Sequence, residues 1–476
     1  MAANGTLNVG IFGIGLDTYW PQFKGLKERL EGYQQQVSKQ IAAFGDVELV
    51  DAGLVDNPER SRAIGSLFRR QQVDVIFLYI STYALSSTVL PVIQETGVPV
   101  IVLNIQPVPA IDYDAFNTLG DRGTMTGEWL AHCQACCVPE IASVFNRAGI
   151  EYHLVTGYLG EERTREELAG WLEAARVVKT MRTNRLGVMG HYYAGMLDVY
   201  TDITRQISAF GGHVDLIEID ELAELRSSVT EEETATKIAE FRSVFEVSPE
   251  CDGQELDRAA RTSVALDKLA THHQLGSLAY YYEGARSSAH ENIVTSVIAG
   301  NTLLTGRNIP VAGECEIKNA QAMKIMDSFD AGGSFSEFYA MDFNDDILML
   351  GHDGPAHLAI AEGPVGLVPL PVYHGKPGKG LSIQMSVKHG PVTLLSVCEG
   401  PNGVYMIVAE GESVPGPVLH IGNTNSRYRF SLPPREFIER WSRLGPSHHC
   451  AIGVGHLASR IAKLGALTGV PVTRVC

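Results

Sequence analysis

The first part of the chain alternates short apolar runs with longer segments in which apolar residues recur at helical spacing. Apolar runs cover 7–12, 73–79 and 98–103, and a segment of helical periodicity covers 24–44. Short apolar strands that alternate with helices are typical of a parallel sheet covered by helices on both faces. The pattern therefore predicts an α/β domain over 1–180.

A second α/β pattern begins near Arg185. It predicts a strand and turn at 186–190, a helix over 196–210 and a strand over 214–219. We therefore expect a second domain over 181–345. Both domains are predicted to be doubly wound, Rossmann-like parallel sheets.

The pattern changes after residue 345, where proline and glycine become frequent and helical periodicity ends. Short β-type runs replace it, at 383–387, 392–397, 404–408 and 418–421. Such runs, separated by turn residues, indicate antiparallel pairing. We expect an antiparallel, β-barrel-like domain over 346–476.

Charge and composition narrow the function classes. The 38 Lys and Arg residues against 55 Asp and Glu residues give a net charge of −17, which repels a phosphate backbone and disfavours nucleic-acid binding. Hydrophobic residues make up 45% of the chain, yet no apolar stretch approaches the roughly 18 residues of a membrane span. The sequence starts directly on a strand without a signal-like segment, so we expect a cytoplasmic protein.

Two local motifs suggest ligands, and each has a simpler explanation. Cys133, Cys136 and Cys137 follow His132 and could suggest zinc. A second pair of ligands is missing from the sequence nearby, so buried thiols are favoured.

The second motif is the turn Gly13-Ile-Gly15 after the first strand, which is typical of phosphate binding. The third glycine of the dinucleotide fingerprint is absent, and no acidic residue ends a second strand at the usual distance. A nicotinamide-dependent dehydrogenase is therefore disfavoured.

Acidic and imidazole side chains concentrate in the last third of the sequence. Carboxylates and imidazoles together suit a divalent transition metal and leave coordination positions open for substrate oxygens. The candidates are Glu337, Asp353, His374 and His449.

Alternatives remain within these segments. His352 and His357 share a loop with Asp353, and His448 precedes His449. Glu314 opens a predicted helix, where interaction with the helix dipole would explain it.

Several segments, in this order, resemble the L-arabinose and L-fucose isomerase superfamily. The similar segments are Asn117-x-x-Gly-Asp-Arg, Gly187-Val-Met-Gly, Pro310-Val-Ala-Gly-Glu-Cys-Glu, Gly332-Gly-Ser-Phe-Ser-Glu, Val372-Tyr-His-Gly and Ser447-His-His. The resemblance implies that Glu337 is a catalytic metal ligand and that His374 and His449 are metal histidines. Arabinose isomerases carry a second catalytic glutamate in a loop where this chain has Asp353. In fucose isomerases an aspartate fills this catalytic role. Arabinose itself is therefore a doubtful substrate.

The resemblance implies a metal-dependent aldose–ketose isomerase that works through a cis-enediolate. Glu337 and Asp353 would be its acid–base pair and would bind the metal, most often Mn²⁺, together with His374 and His449. It also implies a homo-trimer or homo-hexamer with sites between subunits, and a monosaccharide substrate. Two alternatives are a sugar epimerase on the same scaffold and a non-catalytic cytosolic sugar-binding protein.

Overall fold

A computed structural model describes residues 6–281, 288–371 and 379–476. The chain divides into two compact units, with the division between Lys179 and Thr180. Within the described residues, no helix is both long and apolar enough to cross a membrane.

The first unit contains a five-stranded parallel sheet with the strand order β2-β1-β3-β4-β5. Its strands are β1 (Leu7–Ile14), β2 (Val47–Val55), β3 (Val75–Tyr79), β4 (Val100–Gln106) and β5 (Tyr152–Tyr158). Its helices are α1 (Leu26–Ala42), α2 (Pro58–Arg70), α3 (Ser86–Gln94), α4 (Tyr113–Asn117), α5 (Arg122–Leu130), α6 (Val138–Ala148) and α7 (Glu162–Thr183), which contains the division.

Local sequence explains these elements. Every residue of β3 is buried, as its uninterrupted apolar run predicts for a central parallel strand. The helix α2 starts where the Asn57 side chain accepts a hydrogen bond from the backbone N–H of Arg60, with Pro58 at the first helical position. The helix α6 ends at Gly149, which has a φ of 67°.

The cysteine cluster of the first unit differs from the expectation of buried thiols. Cys133 and Cys136 form a disulfide, because a separation of three residues across a turn brings their Cα atoms to 5.9 Å. Cys137 is a buried free thiol whose Sγ donates to the carbonyl oxygen of Ala84. The expectation is therefore correct for Cys137 and wrong for the other two.

The described residues of the second unit form three sheets. Its strands are β6 (Arg185–Gly190), β7 (His213–Ile217), β8 (Glu246–Val247), β9 (Ser277–Tyr281), β10 (Val311–Ala312), β11 (Gly332–Asp342), β12 (Ile347–His352), β13 (Gly366–Pro369), β14 (Leu381–Gln384), β15 (Gly390–Gly400), β16 (Gly403–Val414), β17 (Thr424–Phe430), β18 (His449–Val454) and β19 (Val472–Arg474). Its helices are α8 (Ile203–Phe210), α9 (Ile219–Ser227), α10 (Glu231–Val244), α11 (Gly253–His272), α12 (Ala289–Val294), α13 (Ile298–Thr305), α14 (Ile317–Ser328), α15 (Pro434–Arg443) and α16 (Ala458–Thr468).

These strands form a parallel sheet and a closed antiparallel barrel, with a small third sheet of β8, β13 and β14. The parallel sheet has the order β10-β9-β6-β7. The barrel runs β15-β18-β11-β12-β17-β16 and closes through the pairing of β15 with β16, while β19 joins β16 in parallel. The predicted fold class, two parallel-sheet α/β regions followed by an antiparallel barrel, is confirmed.

The helix α14 links the parallel sheet to the barrel. All twelve of its residues are buried, and it packs against β9, β10, β11, β15 and β18. The helix begins directly after Glu316, so residues 313–316 form the whole connection between β10 and α14. This arrangement positions the acidic segment 314–316 beside the barrel.

We expect Gly333→Ala to destabilise the second unit strongly. Gly333 has a φ of 113°, and a Cβ there would lie 2.6 Å from the carbonyl oxygen of Met323 in α14. Backbone strain and steric overlap together predict a loss of about 2–4 kcal/mol in the free energy of unfolding. Gly403→Ala is a matched control, since Gly403 has a φ of 116° and a Cβ there would meet no atom of the described residues within 4 Å. Urea unfolding of both variants measures the difference, and equal losses would contradict the packing argument.

Candidate metal centre

A cavity of about 390 Å³ opens in the second unit, a volume within the range of small-molecule sites. Its described lining includes three carboxylates and one imidazole, together with tyrosines and aliphatic side chains. The ionisable lining residues are Glu314, Glu337, His352 and Asp353. Glu337 and Asp353, predicted from the sequence as the acid–base pair, thus face the same cavity.

Glu314 reaches the cavity from an unusual backbone conformation. Glu314 and Cys315 have φ values of 56° and 57°, in the left-handed region that non-glycine residues rarely occupy. Each such residue costs about 1–3 kcal/mol, and strain of this kind concentrates at functional sites. The backbone N–H of Cys315 donates to the carbonyl oxygen of Tyr280 in β9, which holds the turn against the parallel sheet.

The barrel register brings the other side chains together. Glu337 in β11 lies opposite His449 in β18 on one side and opposite Gly351 in β12 on the other. His352 follows Gly351, and its ring centroid lies 5.1 Å from that of His449. The ring of Phe335 contacts both imidazoles, with centroid distances of 4.5 Å and 4.3 Å.

Two overlapping groups in the second unit have the composition of a metal site. Ligand atoms of Glu314, His352 and His449 lie within 4.8 Å of one another, as do those of Glu337, His448 and His449. His449 belongs to both groups, so it is the centre of the arrangement.

The atoms of this centre fit a divalent ion. Glu314 Oε2 and His449 Nε2 are both buried and 3.6 Å apart, and among the described residues neither has a hydrogen-bond partner. Leaving such atoms without a partner costs about 1–3 kcal/mol each, or more for a charged group. A metal ion would coordinate both, and a mixed carboxylate and imidazole set suits manganese, iron, cobalt or zinc.

The electrostatics keep His449 ready to act as a ligand. Burial, aided by the neighbouring charge of His448, lowers the pKa of His449 to about 3. The ring is therefore neutral at ordinary pH, as metal coordination requires. Burial alone would raise the pKa of Glu314, but the side-chain contact with His448 outweighs it and lowers that pKa.

His448 is held by a residue from the parallel-sheet region. Its Nδ1 and its backbone nitrogen lie 2.6 Å and 3.0 Å from Asp198 Oδ2, and its Nε2 lies 3.6 Å from Glu314 Oε2. Burial lowers the pKa of His448, but attraction to the carboxylates of Glu314 and Asp198 outweighs this and raises it to about 9. A positive His448 thus stabilises the charge of Glu314.

The charges of Asp353 and Glu337 both influence the hydroxyl group of Tyr339. Burial raises the pKa of Tyr339, and the charges of Asp353 and then Glu337 raise it further. The Tyr339 hydroxyl accepts a hydrogen bond of 2.8 Å from Asn423 Nδ2. The two carboxylates therefore act on the same part of the cavity.

The structure brings together three of the four residues predicted from the sequence. Glu337 and Asp353 line the cavity, and Glu337 lies opposite His449. His374 lies outside the described residues. His357, an alternative ligand, is instead buried beside Asp327, with its Nε2 3.3 Å from Asp327 Oδ1.

Glu314 is the residue that sequence reasoning missed. The sequence places Glu314 at the start of a predicted helix, where the helix dipole would account for its charge. The helix α14 instead begins at Ile317, with Glu316 as its N-cap. The useful signal was its place in the Ala-Gly-Glu segment that carries the superfamily resemblance. His352, kept only as an alternative, joins Glu314 in one of the two groups.

Two known enzymes match the sequence at low identity. The chain is 21% identical over 326 residues to a sulfoquinovose isomerase of Alkalicoccus urumqiensis, a match that covers 68% of this chain and 72% of that enzyme. It is 23% identical over 214 residues to an L-arabinose isomerase of Bacillus subtilis (strain 168), which covers 43% of this chain and 42% of that enzyme. These two matches support the resemblance of the chain to the arabinose and fucose isomerase superfamily, as a divergent member.

The resemblance to this superfamily agrees with the fold and with the order of the acidic and histidine segments. Both matched members are named as sugar isomerases. No protein-family model matches the sequence. At these identities, the substrates of the two relatives are not assigned to this chain.

Proposed function

We propose that the protein is a metal-dependent aldose–ketose isomerase that acts on a monosaccharide. The proposal rests on two buried atoms beside the cavity, Glu314 Oε2 and His449 Nε2, which lie 3.6 Å apart. Neither of them makes a hydrogen bond to any of the described residues. The names of both superfamily relatives support the same reaction class.

The reaction sets the chemical requirements of the site. An aldose becomes a ketose when one proton moves between C2 and C1 and another moves between the two oxygens. The cis-enediolate between them is negatively charged, and a divalent ion, when bound, supplies Lewis-acid stabilisation of that charge. Glu314, His352 and His449 would hold the ion. Glu337, Asp353 and His374 stay the other ligands predicted from the sequence, and Mn²⁺ stays the predicted ion.

The acid–base work falls to Glu337 and Asp353. Both line the cavity, so each could accept a proton from one carbon or oxygen and return it to the neighbouring one. Their roles would exchange with the direction of the reaction. Tyr339, held by Asn423, offers a hydroxyl that could orient a sugar oxygen between the two carboxylates.

Product analysis tests the proposal against its alternatives. Protein loaded with Mn²⁺ is incubated in deuterated water with neutral, sulfonated and phosphorylated aldoses, and the products are followed by NMR. We expect one aldose to give its ketose, with deuterium at C1 to the extent that the transferred proton exchanges with solvent. A C2 epimer without ketose would favour the epimerase, and binding without conversion would favour the sugar-binding protein.

The resemblance also implies a homo-trimer or homo-hexamer in the cytoplasm. Both features stay predictions for this chain.

A further inference from the structure

Two buried carboxylate–imidazole pairs lie at opposite ends of α14. Glu316, the N-cap of the helix, contacts His449, and Asp327 in its last turn contacts His357. All four residues are less than 9% exposed. The two pairs share their chemistry and their burial, so the difference between them is informative.

The pairs differ in what the second ring nitrogen does. In His357, Nε2 contacts Asp327 and Nδ1 accepts a hydrogen bond of 3.3 Å from the backbone N–H of Ala359. In His449, Nδ1 lies 2.6 Å from Glu316 Oε2, and Nε2 has no hydrogen-bond partner among the described residues. His357 is thus fully used by the fold, whereas His449 keeps one nitrogen for a ligand.

The contact with Glu316 determines which nitrogen that is. With Glu316 ionised, the carboxylate accepts a hydrogen bond, and the neutral His449 tautomer that fits this contact has the proton on Nδ1 and the lone pair on Nε2. That lone pair lies on the side of Glu314 Oε2, 3.6 Å away. A carboxylate that holds the far nitrogen of a metal histidine fixes the ring orientation and increases its basicity.

The helix dipole alone does not account for Glu316. A glutamate at a helix N-terminus is stabilised by the dipole when it remains solvated. Glu316 is 1% exposed, and its side chain makes no hydrogen bond to the N-terminal backbone of α14. Burying this carboxylate calls for polar partners, and His449 is one of them, beside Lys318 and Ser447.

We propose that Glu316 is a positioning residue that orients His449 Nε2 toward a bound divalent ion. The inference rests on the proposed function, because it requires that a metal ion binds at His449. Glu316 itself would contact neither the metal nor the sugar and would act through the imidazole.

Metal binding tests the inference without an activity assay. The free Mn²⁺ signal in electron paramagnetic resonance gives the dissociation constant for wild-type protein, Glu316→Gln and Asp327→Asn. We expect Glu316→Gln to weaken Mn²⁺ binding 10- to 100-fold, the usual effect of losing such a partner. Asp327→Asn removes an equally buried carboxylate from the same helix and should leave the Mn²⁺ affinity within about twofold, because its histidine faces no ligand.

Folding and spectroscopy complete the test. Circular dichroism and thermal unfolding establish that each variant is folded, and Glu316→Asp, which keeps the charge, replaces Glu316→Gln if that variant does not fold. The visible spectrum of the Co²⁺-loaded protein should change in the Glu316 variants and not in Asp327→Asn. Unchanged Mn²⁺ affinity in a folded Glu316 variant, or an equal loss in Asp327→Asn, would overturn the positioning role. Failure of the wild-type protein to bind Mn²⁺ would instead reject the proposed function itself.

Discussion

Glu337→Gln should lower kcat by at least about 10³-fold on any sugar that the protein isomerises. Glu337 lines the cavity and lies opposite His449 in the neighbouring strand of the barrel. Glutamine keeps the size of the side chain but cannot accept a proton from carbon. The measurement is the initial rate of ketose formation at saturating sugar and Mn²⁺.

Glu412→Gln provides the control for this result. Glu412 is an exposed residue of β16 in the same barrel, so its substitution makes the same chemical change away from the cavity. We expect wild-type rates from it. If Glu337→Gln retained more than a tenth of the activity with an unchanged unfolding temperature, Glu337 would have no acid–base role.

Removal of metal by EDTA should reduce activity to background, and added Mn²⁺ should restore it. The protein should also unfold at a lower temperature without metal, because the three carboxylates Glu314, Glu337 and Asp353 around one cavity then repel one another without the charge of the ion between them. At a Mn²⁺ concentration 100 times the dissociation constant, the expected stabilisation is about 2.7 kcal/mol. Activity assays and thermal unfolding with and without Mn²⁺ measure the two effects.

A pair of histidine variants separates a specific site from general metal association. His449→Ala should abolish the stabilisation by Mn²⁺, whereas His357→Ala should retain it, since His357 is bound to Asp327 and not to the cavity. Full activity in protein shown by elemental analysis to be metal-free would refute the metal-dependent mechanism.

The sequence predicted secondary structure best where a strand or helix has a regular pattern of buried and exposed positions. The apolar run of β3 and the amphipathic helix α2 follow directly from their residue patterns. The barrel was harder, because β11 contains glycines, serines and a glutamate and lacks a clear alternation. Residues 418–421 show the opposite error, since their apolar character predicted a strand and the structure places them in a loop.

For the candidate site, the sequence predicted individual residues but not which of them lie close together. Glu337 and His449 were identified from the segments around them, but their proximity depends on the register of β11 against β18, which no local pattern specifies. Glu314 was missed because its left-handed backbone is a result of tertiary packing. The pattern also could not separate His352 from His357, since only the fold shows that one faces the cavity and the other contacts Asp327.

Closure of the barrel has a consequence for how such a site can change over evolution. Glu337 and His449 occupy paired strands whose register is fixed by a complete ring of neighbours, whereas Leu419 and Ile421 line the same cavity from a loop outside the barrel strands. Substitutions in that loop can therefore alter which molecule fits while the two strand residues keep their separation. Under the proposed function, the loop residues that would select the sugar can diverge while the strand residues that would act on it are inherited.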